Sequence, residues 1–147
     1  MRNEVEIMDA FKMETLQAII DRHGGIETLK KNHIKIKNES YMPLVIEWIG
    51  SGPYSTELVS VAHYYTQNGD AMRDPEMVFI VSARGFWTPM SFLQDNLGLY
   101  QEAVSIRDGK FFMNDALLHD LQEFALMWDR NLSAQGFLNV KPDTHQT

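Results

Sequence analysis

Five large apolar residues late in the chain, Leu117, Leu121, Phe124, Trp128 and Leu132, recur at spacings of four, three, four and four. Such spacing places them on one face of an α-helix, which turns once in 3.6 residues. Asn114, just before the stripe, is a good N-cap because its side chain can accept from the first helical amides. Asp115 suits the positive helix end, and Gly136 stops the helix. Full burial of each of these side chains contributes about 1.5–3 kcal/mol. The rest of the chain must therefore supply an apolar layer to receive them. Beyond the helix, residues 139–147 (NVKPDTHQT) read as a flexible tail, which leaves 1–138 as one domain.

That receiving layer reads as a sheet. TELVSVAHYYTQ (Thr56 to Gln67) is the longest strand candidate, and MVFIVS (Met77 to Ser82) is the most apolar. Between them, Asn68-Gly69 is a turn signal. Pro75 lacks the N–H that a ladder needs, so the pair reads as a hairpin with a wide loop. HIKIKN (His33 to Asn38) alternates as an edge strand whose lysines discourage edge-to-edge pairing. PLVIEWI (Pro43 to Ile49) is a more buried strand, followed by a turn at Ser51 to Pro53. RGFWTPMSFLQDNLG (Arg84 to Gly98) has no clean period and predicts irregular backbone packed over the sheet. LYQEAVSI and KFFM flank the hairpin signal Asp108-Gly109. Met8, Phe11, Leu16, Ile19 and Ile20 mark an N-terminal helix ended by Gly24-Gly25, and IETLKK adds a further helical turn or two. The sum is an α+β fold: an antiparallel sheet of five or six strands in a meander, packed by an N-terminal helix and the long C-terminal one.

Composition narrows the chemistry. Cysteine is absent, which removes disulfides, thiolate metal ligands and a cysteine nucleophile, and fits a reducing compartment. No apolar run approaches the roughly 18 residues of a membrane span. MRNEVEIMDAF carries acids where a signal peptide is apolar, so a cytoplasmic protein without a membrane partner is expected. Twenty acids against 13 bases give a formal charge of −7. That argues against direct binding to nucleic-acid backbone and suits a partner protein with a basic surface. There is no HExxH, EF-hand or Walker A pattern, and no GxSxG around Ser60, Ser91 or Ser105. Neither cofactor nor metal is expected.

Alternation along the longest strand candidate puts Val59, Val61, His63, Tyr65 and Gln67 on one face. The plainer reading of His63 is a partly buried ring satisfied by a backbone carbonyl or a nearby acid. The functional reading sets His63, Tyr65 and Gln67 at one sheet end, with Asp70, Asp74 and Glu76 returning beside them. A histidine beside carboxylates can act as a general base or share a divalent metal. A second polar turn, Gln94-Asp95-Asn96, precedes Tyr100. If both turns meet, His63, Tyr65, Gln67, Asp70, Asp74, Asp95 and Tyr100 form the candidate pocket. The aromatics Trp48, Tyr54, Phe86, Trp87, Phe92 and Tyr100 read as core before they read as a cleft. His119 falls away from the apolar stripe and reads as solvated.

At HYYTQNGDAMRDPEM, SFLQDNLGLYQEA and MWDRNLSAQGF, the chain resembles small uncharacterised bacterial proteins of the kind carried by plasmids, conjugative elements and phages. The resemblance implies an accessory protein of a mobile element and carries over no catalytic residue. The expectation is a non-catalytic cytosolic binding or interaction module. Two alternatives stand beside it. One is a small hydrolase or metal-dependent enzyme using His63 with Asp70 or Asp74. The other is an acidic inhibitor that occupies the nucleic-acid site of a host defence protein.

Overall fold

The computed structural model describes residues 11–141. Its elements run α1 (Glu14–Arg22), α2 (Gly25–Leu29), β1 (Ile34–Ile36), β2 (Leu44–Gly52), β3 (Thr56–Gln67), β4 (Asp70–Val81), β5 (Trp87–Gln94), β6 (Leu99–Glu102), β7 (Val104–Arg107), β8 (Lys110–Met113) and α3 (Asp115–Ala134). Strands β1 to β6 form one antiparallel sheet in chain order, and β7–β8 is a separate hairpin. Short connections make each strand pair with its neighbour in sequence, giving the expected meander. The fold is α+β, with an N-terminal and a C-terminal helix against the sheet. None of the helices described is long and apolar enough to cross a membrane.

Helix α3 takes its predicted place. The Asn114 side chain accepts from the Leu117 amide at 3.2 Å, and Gly136 adopts φ +84° just past the end. Leu118, Leu121, Ala125, Trp128, Asp129 and Leu132 are buried, so the buried face also takes in Leu118 and Asp129. Leu117 and Phe124 sit at its margin. His119 is exposed and pairs with Glu123 at 2.6 Å. The helices cover one sheet face. Phe92 meets Phe124 edge-on at 5.1 Å, and His63 meets Trp128 at 5.4 Å. Leu44, Ile46, Val59, Val61, Met77 and Phe79 line this side and are fully buried.

Four sequence expectations need correction. The N-terminal helix begins at Glu14, not at the Met8–Phe11 stripe. Met8 lies outside the described residues, and the Phe11 carbonyl accepts from the Trp87 amide at 3.0 Å, ahead of the helix. The turn placed at Ser51 to Pro53 comes later: β2 continues through Gly52, and Tyr54 and Ser55 turn the chain at φ +60° and +59°. The wide loop after β3 is instead a two-residue turn. Asn68 (φ +52°) and Gly69 (φ +84°) join Gln67 directly to its register partner Asp70. Strand β4 then continues through Pro75, because the ladder bulges there. Ala62 pairs with Glu76 and Tyr64 with Arg73, so Asp74 and Pro75 together oppose His63. A bulge is one of the few places where a strand tolerates a residue without an N–H. Finally, Arg84 to Gly98 is mostly strand β5. Trp87, Thr88 and Pro89 are all buried, so no alternation marks it, and its register with β4 shifts between Val78 and Phe79.

Candidate functional site

The middle of β3 separates two hollows. On the helix side, His63 is only 7% exposed. Its Nδ1 lies 3.1 Å from the Met42 carbonyl. A carbonyl can only accept, so Nδ1 carries the proton and the neutral ring keeps its lone pair on Nε2. Burial holds the His63 pKa below its ordinary value, against the pull of the Met42 and Pro43 carbonyls and of Asp74. The ring belongs to a run of aromatics. Tyr41 meets Phe137 at 6.0 Å, Phe137 meets His63 at 5.6 Å, and His63 meets Trp128 at 5.4 Å. Trp128 meets Phe124 at 6.1 Å, and Phe124 meets Phe92. A hollow of about 210 Å³ lies beside this run, bordered also by Met42, Pro75, Met127, Asn131 and Gln135.

On the opposite side of the sheet lies a larger cleft of about 740 Å³. Alternation turns Val45 and Glu47 of β2 and Tyr64 and Thr66 of β3 to this side, away from the helices. Lys35 and His33 border it from the β1 side, and Tyr41, Met42 and Pro43 from the β1–β2 loop. The Tyr64 amide donates to the Pro43 carbonyl at 3.2 Å, which pins this loop against β3. Burial, then the charges of Glu76 and Glu47, push the Tyr64 phenol up.

A polar network crosses the same face beside the cleft. Arg73 donates through Nε and Nη2 to Asp95 at 2.9 and 3.1 Å, and its backbone N–H reaches the same carboxylate at 2.8 Å. Nη1 donates to Glu76, which also accepts from Ser60 at 2.6 Å. These hydrogen bonds from Arg73 hold the Asp95 carboxyl below its ordinary range.

The seven residues predicted as one pocket are therefore distributed. His63 borders the inner hollow and Tyr65 the outer cleft. Gln67 and Asp70 pair at the exposed hairpin end. Asp74 accepts from Gln94 at 2.6 Å, Asp95 is held by Arg73, and Tyr100 donates to Glu102 at 3.1 Å. The Gln94–Asp95 segment meets strand β4, through Asp74 and Arg73, and not the Asn68-Gly69 turn or His63. No group of three or more His, Asp or Glu residues able to hold a metal occurs among the described residues. Sequence reading missed Tyr41, Met42, Tyr64 and Trp128 as wall residues. The SYMP segment between two strand candidates was the one available signal for the first pair.

No curated protein and no solved structure matches the chain. A family model does, over residues 14–138, from the first residue of α1 to just beyond α3. The chain thus belongs to DUF6908, a family defined as a domain of unknown function.

Proposed function

We propose that the protein is a non-catalytic binding module and that its ligand occupies the outer cleft beside β3. The observation that carries this is the cleft itself. Its volume of about 740 Å³ falls within the roughly 300–1,000 Å³ of small-molecule sites. Its wall has the matching make-up. Tyr41, Tyr64 and Tyr65 offer ring faces with polar tips, and Met42, Pro43 and Val45 add apolar surface. Glu47, Thr66 and His33 add a few directional polar groups. The chemistry suits an amphipathic ligand with a planar face and several hydroxyl or amide groups.

Support for an enzyme centred on His63 is weaker. The ring is tied to a backbone carbonyl inside an aromatic run, and Asp74 serves Gln94. Support for an acidic mimic of nucleic acid is weaker too, since Glu57, Glu76 and Asp95 are paired with Lys30 or Arg73. A cytosolic setting rests on the lack of cysteine, and a mobile-element origin on the three sequence blocks quoted above.

The test is NMR chemical-shift mapping with nucleosides, disaccharides and aromatic amino acids. Binding should perturb Val45, Tyr64, Tyr65 and Ala71. Thr66→Trp, a substitution at an exposed wall position, should abolish it while the fold persists. Shifts confined to other surfaces, or binding indifferent to Thr66→Trp, would remove the cleft from consideration.

A further inference from the structure

The β1–β2 loop is fastened by hydrogen bonds to β3 and to the end of α3. Its Pro43 carbonyl accepts from the Tyr64 amide at 3.2 Å. Its Met42 carbonyl accepts from His63 Nδ1 at 3.1 Å, and Asn38 Nδ2 donates to the Gln135 carbonyl, just past α3, at 2.8 Å. Between these pegs Glu39, Ser40 and Tyr41 are exposed. A segment that buries little and is tied by a few hydrogen bonds opens at lower cost than the sheet it lies on. The same segment, from Glu39 to Pro43, supplies one wall of the outer cleft.

His63 makes this fastening sensitive to acid. Its ring is buried, and a positive charge there gives up hydration. The Met42 and Pro43 carbonyls and Asp74, in the bulge of β4, return part of that loss, yet burial prevails and proton binding is weakened. Asp74 is the charged group acting on the ring. Leu44 of β2, Trp128 of α3 and Phe137 beyond it meet the ring without charge. These three are core residues, so the loop is the wall that can lift without opening the core. Water reaching the ring restores its ordinary proton affinity, and the open loop then takes up a proton that the closed loop resists. We propose that residues 38–43 form a strap that proton uptake by His63 unseats from β3, withdrawing one wall of the outer cleft and releasing what it holds. Release of a ligand rests on the cleft being the binding site; movement of the strap does not.

The test is NMR on the ligand-free chain, so the strap and the cleft's role as a binding site can fail separately. Hydrogen-exchange protection of the Tyr64 amide reports the Pro43 fastening, with Val59 and Phe79 in the sheet centre as controls. Between pH 7 and pH 5, protection at Tyr64, corrected for the intrinsic exchange rate, should fall roughly fivefold or more while the controls keep theirs. Asn38→Ala removes the peg on Gln135 and should lower Tyr64 protection roughly fivefold at pH 7, the worth of one net hydrogen bond. It should also raise the His63 pKa, followed through the ring protons, because an open strap hydrates the ring. His63→Asn sets a donor near the Nδ1 position and takes up no proton, so it should abolish the pH response. Equal Tyr64 protection at both pH values would overturn the proposal. So would a loss shared by Val59 and Phe79, an unchanged His63 pKa in Asn38→Ala, or a pH response that survives in His63→Asn. The Asn38→Ala measurements decide the matter even where His63→Asn does not fold.

Discussion

The Asp129 carboxylate on α3 accepts from the backbone amide of Leu16 on α1 at 2.9 Å. Its other oxygen takes the Thr15 amide at 3.0 Å. Met13 precedes α1 and offers no capping side chain, so the first helix is capped by the last. Asp129→Ala strands both amides, one of them buried. It should lower stability by about 1–3 kcal/mol, read as a fall in the urea midpoint at unchanged m-value. Asp129→Asn keeps one acceptor oxygen and should lose less.

The same carboxyl has a pH signature. Burial raises its pKa above the ordinary 3.8, although the two amides pull it down. The folded state therefore holds the proton more tightly than the unfolded chain. Stability contributed by this group increases as pH falls through the raised folded value and is complete below 3.8. Stability of the unaltered protein relative to Asp129→Asn should accordingly increase between pH 7 and about pH 4, measured by urea titration at each pH. A flat difference would contradict this.

His63 acts in the opposite direction. Its folded pKa is depressed below 6.5 by burial, so the unfolded chain takes up the proton first. The stability it confers is intact above 6.5 and is lost as pH falls from there toward the folded value. Relative to His63→Gln, the unaltered protein should lose stability on going from pH 7.5 to about 5, visible in thermal midpoints. Asp74 facing the ring opposes the shift, and Asp74→Asn should deepen it.

Gly69 occupies φ +84° in the two-residue turn between β3 and β4. An alanine there meets no neighbouring atom but must adopt a left-handed backbone, so Gly69→Ala should destabilise by about 1–2 kcal/mol without altering the register. Equilibrium denaturation measures the first part and amide NOEs between β3 and β4 the second.

Arg73 grips Asp95 with two guanidinium nitrogens, a geometry that lysine cannot reproduce. Arg73→Lys should raise hydrogen exchange in the turn formed by Asp95 to Leu97 and leave that of α3 unchanged. Protection at Asp95 to Gly98 equal to that of the unaltered protein would show the grip to be dispensable.

Periodicity made the elements legible where one face was dry and the other wet. The limits of β3 follow directly from its sequence, as do the Asn114 cap and the meander order. β5 stayed hidden because Trp87, Thr88 and Pro89 are covered on both faces and show no period of two. The start of β4 stayed hidden because Pro75 is a breaker unless a bulge receives it, and a bulge is a property of two strands together. The site was half legible for a similar reason. Parity put His63 on the dry face, and its carbonyl partner matches the plainer reading. The hollows, however, depend on Tyr41, Met42 and Trp128, which meet β3 only through tertiary contact. Asp129 shows the same limit, being an acid within an apolar helix face whose purpose lies on another helix more than a hundred residues earlier.

Tyr41 and Met42 border both hollows and act as a party wall between two rooms. The Tyr64 amide fastens the neighbouring Pro43 carbonyl to β3, so the shape of both rooms depends on how one short connection is anchored.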